Sequence, residues 1–472
     1  MSEKKRKKEA AEGGKEHKKR SDEGRLHRKN WKEYTATVED IQNFLMDRIL
    51  LRHNVITRRV EYRLPSSYEN EGTEWQPISD RVVNSLWSEL SAEKVVRAQD
   101  IYRVLESDFV PEFNPFTFYL EHLPPWNGED YIFAMSVSVS VKAPIKREKS
   151  DACIGSIPDP WSPTRSLSER EEAQSEIKGE VEEQMLFAQY LKKWLVGMVA
   201  GWIDPHVVNN VILVLIGEQG SYKTTWFNYI LPPELRAYFY TKTNASRMGR
   251  DDLLILAQYG LVCCEELDTM RPSELNQLKA AVTMPSIDER AAYAHFHEHR
   301  KHIASFCGTG NNMQFLSDPT GNRRWLTFEV ESIESPREEP FEYEGIYAQA
   351  YALYQQGFQF WFSREEILKL AEHNRQFETP RLESELVQLY FRKPVGVGGG
   401  IFMSVARAMQ IVSANISQKI SAVYLGRAFM EQGFRRVKSC GQRGYIVEQR
   451  TGEEIQRLQR QMADDVDVDS GQ

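Results

Sequence analysis

Residues 211–216 form an unbroken apolar run of strand length, bounded by Asn209-Asn210 and Gly217. A run without polar alternation predicts a strand buried on both faces of a parallel sheet. Residues 261–264, 303–307 and 325–330 are further, mainly apolar runs of strand length, and helical spacing separates the first three runs. Strand alternating with helix predicts an α/β core whose parallel sheet is covered on both sides. Ahead of the first run, Phe187, Leu191, Trp194, Leu195 and Met198 share one face of a helix.

The flanks pattern differently. Residues 37–142 predict a mainly helical N-terminal domain, with Ile41, Phe44, Leu45 and Ile49 at helical spacing, more helix over 80–105, and turns at 111–116 and 124–128. Residues 143–182 are polar and hold Pro144, Pro158, Pro160 and Pro163, the pattern of a mobile linker. The core then occupies 183–335, and a helical extension follows at 336–384. In 385–450, helices precede two short β-rich stretches, Arg435-Arg436-Val437 and Tyr445-Ile446-Val447, around Gly441 and Gly444. That order predicts a winged-helix-like domain. Residues 1–36 form a basic tail and 451–472 an acidic one. Both have the composition of solvated disorder, and the basic arm is alternatively suited to nucleic-acid phosphates.

Composition narrows the classes. The 472 residues carry a net charge of −8, which excludes a basic nucleic-acid coat. No apolar stretch is long enough for a membrane span, and no apolar run follows Met1-Ser2-Glu3-Lys4-Lys5 as a secretory leader would require. Cys153, Cys263, Cys264, Cys307 and Cys440 are odd in number and fit neither a zinc site nor a disulfide framework. A cytoplasmic, reducing location is expected.

The candidate chemistry begins where the first run ends. Gly217-Glu218-Gln219-Gly220-Ser221-Tyr222-Lys223-Thr224 follows a strand and opens a helix. In a P-loop this arrangement aims backbone N–H groups at phosphates. Gly217, Gln219, Gly220, Ser221, Tyr222, Lys223, Thr224 and Thr225 are the candidate nucleotide contacts. Lys223 would pair the β- and γ-phosphates of ATP, and Thr224, or Thr225 in its place, would ligate Mg²⁺. Tyr222 departs from the motif, which has glycine immediately before the lysine. The other reading of the segment is a structural turn.

Three further elements follow in order. The run 261–264 ends in Glu265 and Glu266; Glu265 is assigned to the metal and Glu266 to the attacking water. Asn311 ends the third run and is placed to hydrogen-bond the γ-phosphate or the water, unless it merely makes a turn. Arg324, and after it Arg323, is a candidate to stabilise transition-state charge in a neighbouring subunit's site, the alternative being a surface ion pair. Between the second and third strands, the segment from Ala294 to His302 has histidines at alternate positions, 295, 297 and 299, followed by Arg300 and Lys301. Its His295, Phe296, His297, Arg300 and Lys301 read better as contacts to a nucleic-acid backbone than as metal ligands, and the remaining reading is a solvated hairpin.

Taken together these residues resemble the virulence-associated E family of phages and mobile genetic elements, relatives of superfamily 3 helicases within the AAA+ class. The resemblance runs from Phe113-Asn114-Pro115-Phe116-Thr117-Phe118-Tyr119-Leu120 and Trp126-Asn127-Gly128 through Lys193-Trp194-Leu195, the P-loop, Glu265-Glu266-Leu267-Asp268, Gln277-Leu278-Lys279 and Gly308-Thr309-Gly310-Asn311 to Thr320-Gly321-Asn322-Arg323-Arg324-Trp325. It implies a P-loop NTPase core and an ATP-dependent helicase or translocase. It further implies a homo-oligomeric ring with single-stranded DNA in its channel, working with a primase or other replication partner. It also implies that residues 290–302 line that channel. Rival readings are an ATPase switch or assembly factor without unwinding, a DNA-binding protein with a degenerate P-loop, and a small-molecule kinase, which the large flanking regions disfavour.

Overall fold

The computed structural model describes residues 34–65, 74–144, 165–243, 250–289, 298–316, 322–379, 381–394, 399–414, 416, 418–439 and 442–469. The basic tail, at 1–33, lies outside the described residues, as does the stretch 145–164 of the expected linker. The chain divides into two units, one of residues up to 311 with 323–370, the other of 312–322 with 371–472.

In the first unit, helices α1 (Val38–Arg48), α2 (Asp80–Glu93) and α3 (Ala98–Leu105) bury Ile41, Leu45, Val83, Leu86, Leu90 and Ile101 in one cluster. Thr37 caps α1, its hydroxyl accepting from Asp40 N at 3.2 Å while the Asp40 carboxylate accepts from Thr37 N. This body combines helices with strands. A sheet in the order β3-β2-β1-β4 belongs to it: β1 (Leu50–Asn54), β2 (Arg59–Arg63), β3 (Gln76–Pro77) and β4 (Glu112–Phe113). These strands carry charged residues that only the fold satisfies. Arg52 pairs across the ladder with Glu61 at 2.6 Å, and its guanidinium lies 3.7 Å from the Phe113 ring centroid.

Helices α4 (Pro115–Glu121) and α5 (Tyr131–Val137) and strand β5 (Val139–Val141) lead to α6 (Arg165–Ile203). Thus 165–182, expected as linker, is helical. The apolar face read from the sequence packs Phe187, Leu191, Trp194, Leu195 and Met198 into the main core, fully buried. Burying each such side chain is worth about 1.5–3 kcal/mol. The indole N–H of Trp194 donates to Phe306 O at 3.0 Å, which ties the helix to the sheet.

That sheet has six strands in the order β5-β12-β6-β11-β8-β7, with β6 (Ile212–Ile216), β7 (Phe239–Lys242), β8 (Leu261–Cys264), β11 (Ser305–Gly310) and β12 (Trp325–Ile333). All pairings are parallel except that of β5 with β12. Helices α7 (Lys223–Ile230), α8 (Arg250–Gln258) and α9 (Pro272–Val282) alternate with the strands, and a separate hairpin, β9 (Ser286–Glu289) with β10 (Glu298–Lys301), precedes β11. The four strands expected from apolar runs are present, and β5 and β7, at the sheet edges, are additional. Cys263, Cys264 and Cys307 are buried free thiols. Helices α10 (Tyr343–Gln355) and α11 (Arg364–His373) follow; Tyr347 and Ala350 of α10 belong to the main core rather than to an appendage.

The second unit has its own core. Helix α12 (Leu382–Tyr390), strands β13 (Phe391–Arg392) and β14 (Ile401–Ser404), helices α13 (Val405–Ser413) and α14 (Ala422–Glu431) and strands β15 (Arg435–Ser439) and β16 (Gln442–Gln449) enclose Leu386, Phe391, Met403, Val412, Phe429 and Val447. β16 is central, with β14 and β15 antiparallel on either side. The expected acidic tail is helical over α15 (Gly452–Asp469), because Ile455 and Leu458 pack against this core.

Candidate functional site: a phosphate-binding cleft

The sheet register brings the candidate residues together. Ile216 pairs with Gly310, and Gly308 with Cys264, so β6, β8 and β11 end at one edge. The loops leaving that edge enclose a cleft of about 330 Å³ lined by Gln219, Gly220, Ser221, Tyr222, Lys223, Thr224, Thr225, Glu265, Glu266, Thr309 and Asn311. Larger hollows of about 690 and 790 Å³ exist elsewhere in the first unit, but neither contains the loop or the acidic strand end.

The loop is held open by its own backbone. Gly217 N donates to Gly310 O at 3.2 Å, continuing the β6–β11 ladder into the loop. Gly220 has φ +88°, a conformation that glycine adopts without penalty. Lys223 begins α7 and folds back: its ammonium donates to Gly217 O at 2.8 Å, Glu218 O at 2.6 Å and Ser221 Oγ at 3.1 Å. Burial pushes this lysine below its ordinary pKa, while the charges of Asp268 and Glu218 act in the opposite direction.

Two non-glycine residues of the cleft are left-handed, Tyr222 at φ +59° and Glu266 at φ +53°. For an L-residue this costs roughly 1–2 kcal/mol, and such strain clusters at functional sites. Tyr222 occupies the position where glycine is usual, and its backbone does what the motif requires of glycine. Its side chain is 48 % exposed and lines the cleft. Tyr222→Gly is therefore expected to be about 1 kcal/mol more stable than Tyr222→Ala, since both lose the ring and only one keeps the strained backbone. Urea unfolding of the two variants measures the difference, and equal midpoints would refute the strain.

Thr309 and Asp268 were not singled out from the sequence. Thr309 alternates with glycines that the eye reads as a turn. Asp268 lies two residues beyond the paired glutamates, on a short turn (Leu267–Thr269), close enough for its charge to reach Lys223. A Cβ on Gly310 would come within 3.0 Å of Asp268 Oδ1, so the missing side chain there makes room for this carboxylate.

The donor set suits a hard cation carried by a polyphosphate. Thr224 and Glu265 line the cleft with side-chain oxygens, and Mg²⁺ is commonly held by one or two such groups together with substrate phosphates. Among the described residues, no three His, Cys, Asp or Glu side chains converge as a protein-only metal cage.

Arg323 and Arg324 do not join this cleft. They immediately precede β12, whose first residue, Trp325, pairs with Ile212, the first of β6. They lie at the opposite edge of the sheet, roughly 15 Å of strand away from the loop. Arg323 is exposed and Arg324 half-buried, with burial and the neighbouring Arg323 charge lowering the Arg324 pKa.

The basic hairpin divides. His295, Phe296 and His297 lie outside the described residues. Arg300 and Lys301 are not free to touch DNA. Arg300 is buried and donates to Ile56 O at 2.7 Å, and Lys301 donates to Gly201 O at 2.7 Å. Burial pulls the Lys301 pKa down to about 8. Their basic, aromatic surroundings suggested contact with a nucleic-acid backbone, but in the folded chain they secure the hairpin stem to the core.

Residues 168–379 match the family model of the virulence-associated protein E-like domain. The chain carries a VapE-like domain. The match spans α6, the P-loop, both glutamates, Asn311 and the arginine pair. A search of curated proteins finds no match. Among solved structures, the apo C-terminal region of NrS-1 is 12 % identical, with 86 % of this chain and 98 % of that chain covered and a TM-score of 0.41. Its A form gives 11 % identity over the same shares, with a TM-score of 0.42. A RuvB mutant of Thermotoga maritima gives 13 % identity, 57 % and 94 % coverage and a TM-score of 0.23. Among the described residues, no helix is long and apolar enough to cross a membrane.

Proposed function

We propose that this VapE-like chain is an ATP-driven motor on DNA, a helicase or translocase serving replication of a phage or mobile genetic element. The observation that carries the reading is the single cleft into which the loop, Lys223, Glu265, Glu266 and Asn311 converge. In it, Lys223 and the loop N–H groups hold the phosphates of ATP. Thr224 and Glu265 hold Mg²⁺, which neutralises phosphate charge when bound. Glu266 takes a proton from the attacking water, and Asn311 fixes the γ-phosphate.

Arg324 acts on a neighbour in this reading. Its position at the far edge of the sheet from its own loop supports a ring in which each subunit completes the next one's site. DNA contact in the channel falls to His295, Phe296 and His297. The second unit is a winged-helix-like module, supported by the helix order and the β14-β16-β15 arrangement. The sheet-and-helix body at the N-terminal end is available to a primase or another replication partner.

ATP hydrolysis is expected to rise on adding single-stranded DNA and to coincide with a ring-sized species in ATP. Co-expressing Arg324→Ala with Lys223→Ala chains should recover roughly a quarter of the wild-type rate, because about that share of mixed interfaces is intact. No recovery would sink the shared site. Hydrolysis indifferent to DNA would replace the motor with an ATPase switch or assembly factor.

A further inference from the structure

The chain is net acidic at −8, yet residues 435–443 hold Arg435, Arg436, Lys438 and Arg443 and no acidic residue. All four are exposed, and among the described residues none is in an ion pair. Glu448 and Glu454 are both taken by Arg392, at 2.7 and 2.9 Å, and the acid nearest in sequence, Glu431 at the end of α14, forms no ion pair with these four among the described residues.

The ladder sorts these cations by face. Arg436 pairs with Tyr445 and Lys438 with Arg443. Directly paired residues, and residues two apart on a strand, share a face. Arg436, Lys438 and Arg443 therefore lie on the face that carries Tyr445. That face looks toward α14: the Tyr445 ring stacks on Phe429 at 4.9 Å, and its hydroxyl donates to Gly426 O at 2.7 Å. Arg436 bridges the two elements, its Nη1 lying 4.0 Å from Met430 Sδ.

Helix α14 adds a stripe at helical spacing, Val423, Arg427 and Met430, with Val423 65 % and Met430 50 % exposed. Two exposed apolar side chains flanking a half-buried arginine, beside three cations without ion pairs among the described residues, are not the solvated face of an acidic protein. We propose that this surface binds duplex DNA, with α14 in the major groove and Arg436, Lys438 and Arg443 on the adjoining phosphates. A major groove about 12 Å wide admits a helix, and side chains of the stripe's type contact base edges and thymine methyls. Arg436 and Lys438, two residues apart on a strand, are spaced about 6.8 Å, close to two rises of a DNA strand. The deep, narrow major groove of duplex RNA excludes such a helix. The site lies wholly within the second unit and does not depend on the ATP reading.

The test uses the full-length chain without nucleotide and fluorescent duplex DNA of about two helical turns, titrated at several salt concentrations and read by anisotropy. Arg436→Ala/Lys438→Ala/Arg443→Ala should lose at least ~10-fold in affinity at about 0.1 M salt and flatten the log–log salt slope by about 3. Lys438→Gln alone, at an exposed position, should flatten it by about 1 and keeps the test valid if the triple variant fails to fold. Both variants should bind a fluorescent ATP analogue as wild type does, and Lys223→Ala should bind the duplex normally. Loss of ATP binding in Lys223→Ala with duplex binding intact separates this site from the motor reading. The proposal is overturned if the variants bind the duplex as wild type does, or if duplex RNA binds as tightly as duplex DNA.

Discussion

Lys223→Ala is expected to reduce ATP hydrolysis by at least about 100-fold, the scale of losing one electrostatic partner of a transferring phosphoryl group. The ammonium is the only side-chain cation among the residues lining the cleft. In the present geometry it donates to two loop carbonyls and one hydroxyl, all within 3.1 Å. These are the contacts it exchanges for phosphate oxygens. Truncation removes the charge and leaves the carbonyls of Gly217 and Glu218 without this donor. Nucleotide affinity should fall together with turnover. Lys223→Arg should not restore either, since a planar guanidinium cannot pack where a compact ammonium meets three converging acceptors. Phosphate release under saturating ATP, paired with binding of a fluorescent analogue, reads both effects. Turnover near the wild-type rate in Lys223→Ala would leave the cleft without its central role.

The cleft was legible because its parts are local. A fully apolar strand, a glycine-bearing loop and a lysine at the start of a helix are neighbours in sequence, and the acidic and amide strand ends follow the same rule. The parts that were misread depend on partners far along the chain. Arg300 and Lys301 look like a basic surface until Ile56 O and Gly201 O accept their hydrogen bonds. Strands β1 and β2 look too charged for a sheet until Arg52 meets Glu61 and the Phe113 ring. Strands β5 and β7 sit at the edges of the sheet and lack the continuous apolar signature of β6. The acidic composition of the C-terminal segment hid a helix whose Ile455 and Leu458 needed only a core to face. The departure at Tyr222 was visible in the sequence, but its meaning was not: the residue adopts the left-handed backbone itself.

Glu266→Gln should separate binding from chemistry. The residue caps the turn Leu267–Thr269, and its carbonyl accepts from both the amide and the hydroxyl of Thr269 at 2.9 Å. Those two bonds hold the left-handed backbone whatever the side chain is, so the amide variant keeps the shape of the cleft. It loses only the ability to accept a proton. Hydrolysis is expected to fall by about 10²–10⁴-fold, the usual worth of a positioned general base, with ATP-analogue affinity within a few-fold of wild type. Glu265→Gln should behave differently, because its assigned role is the cation: nucleotide binding should lose its dependence on Mg²⁺. Measuring single-turnover hydrolysis and Mg²⁺-dependent binding in both variants decides the assignment. A Glu266→Gln enzyme that turns over normally beside a catalytically dead Glu265→Gln would exchange the two roles, and would place the catalytic base on the residue that continues the strand rather than on the strained one.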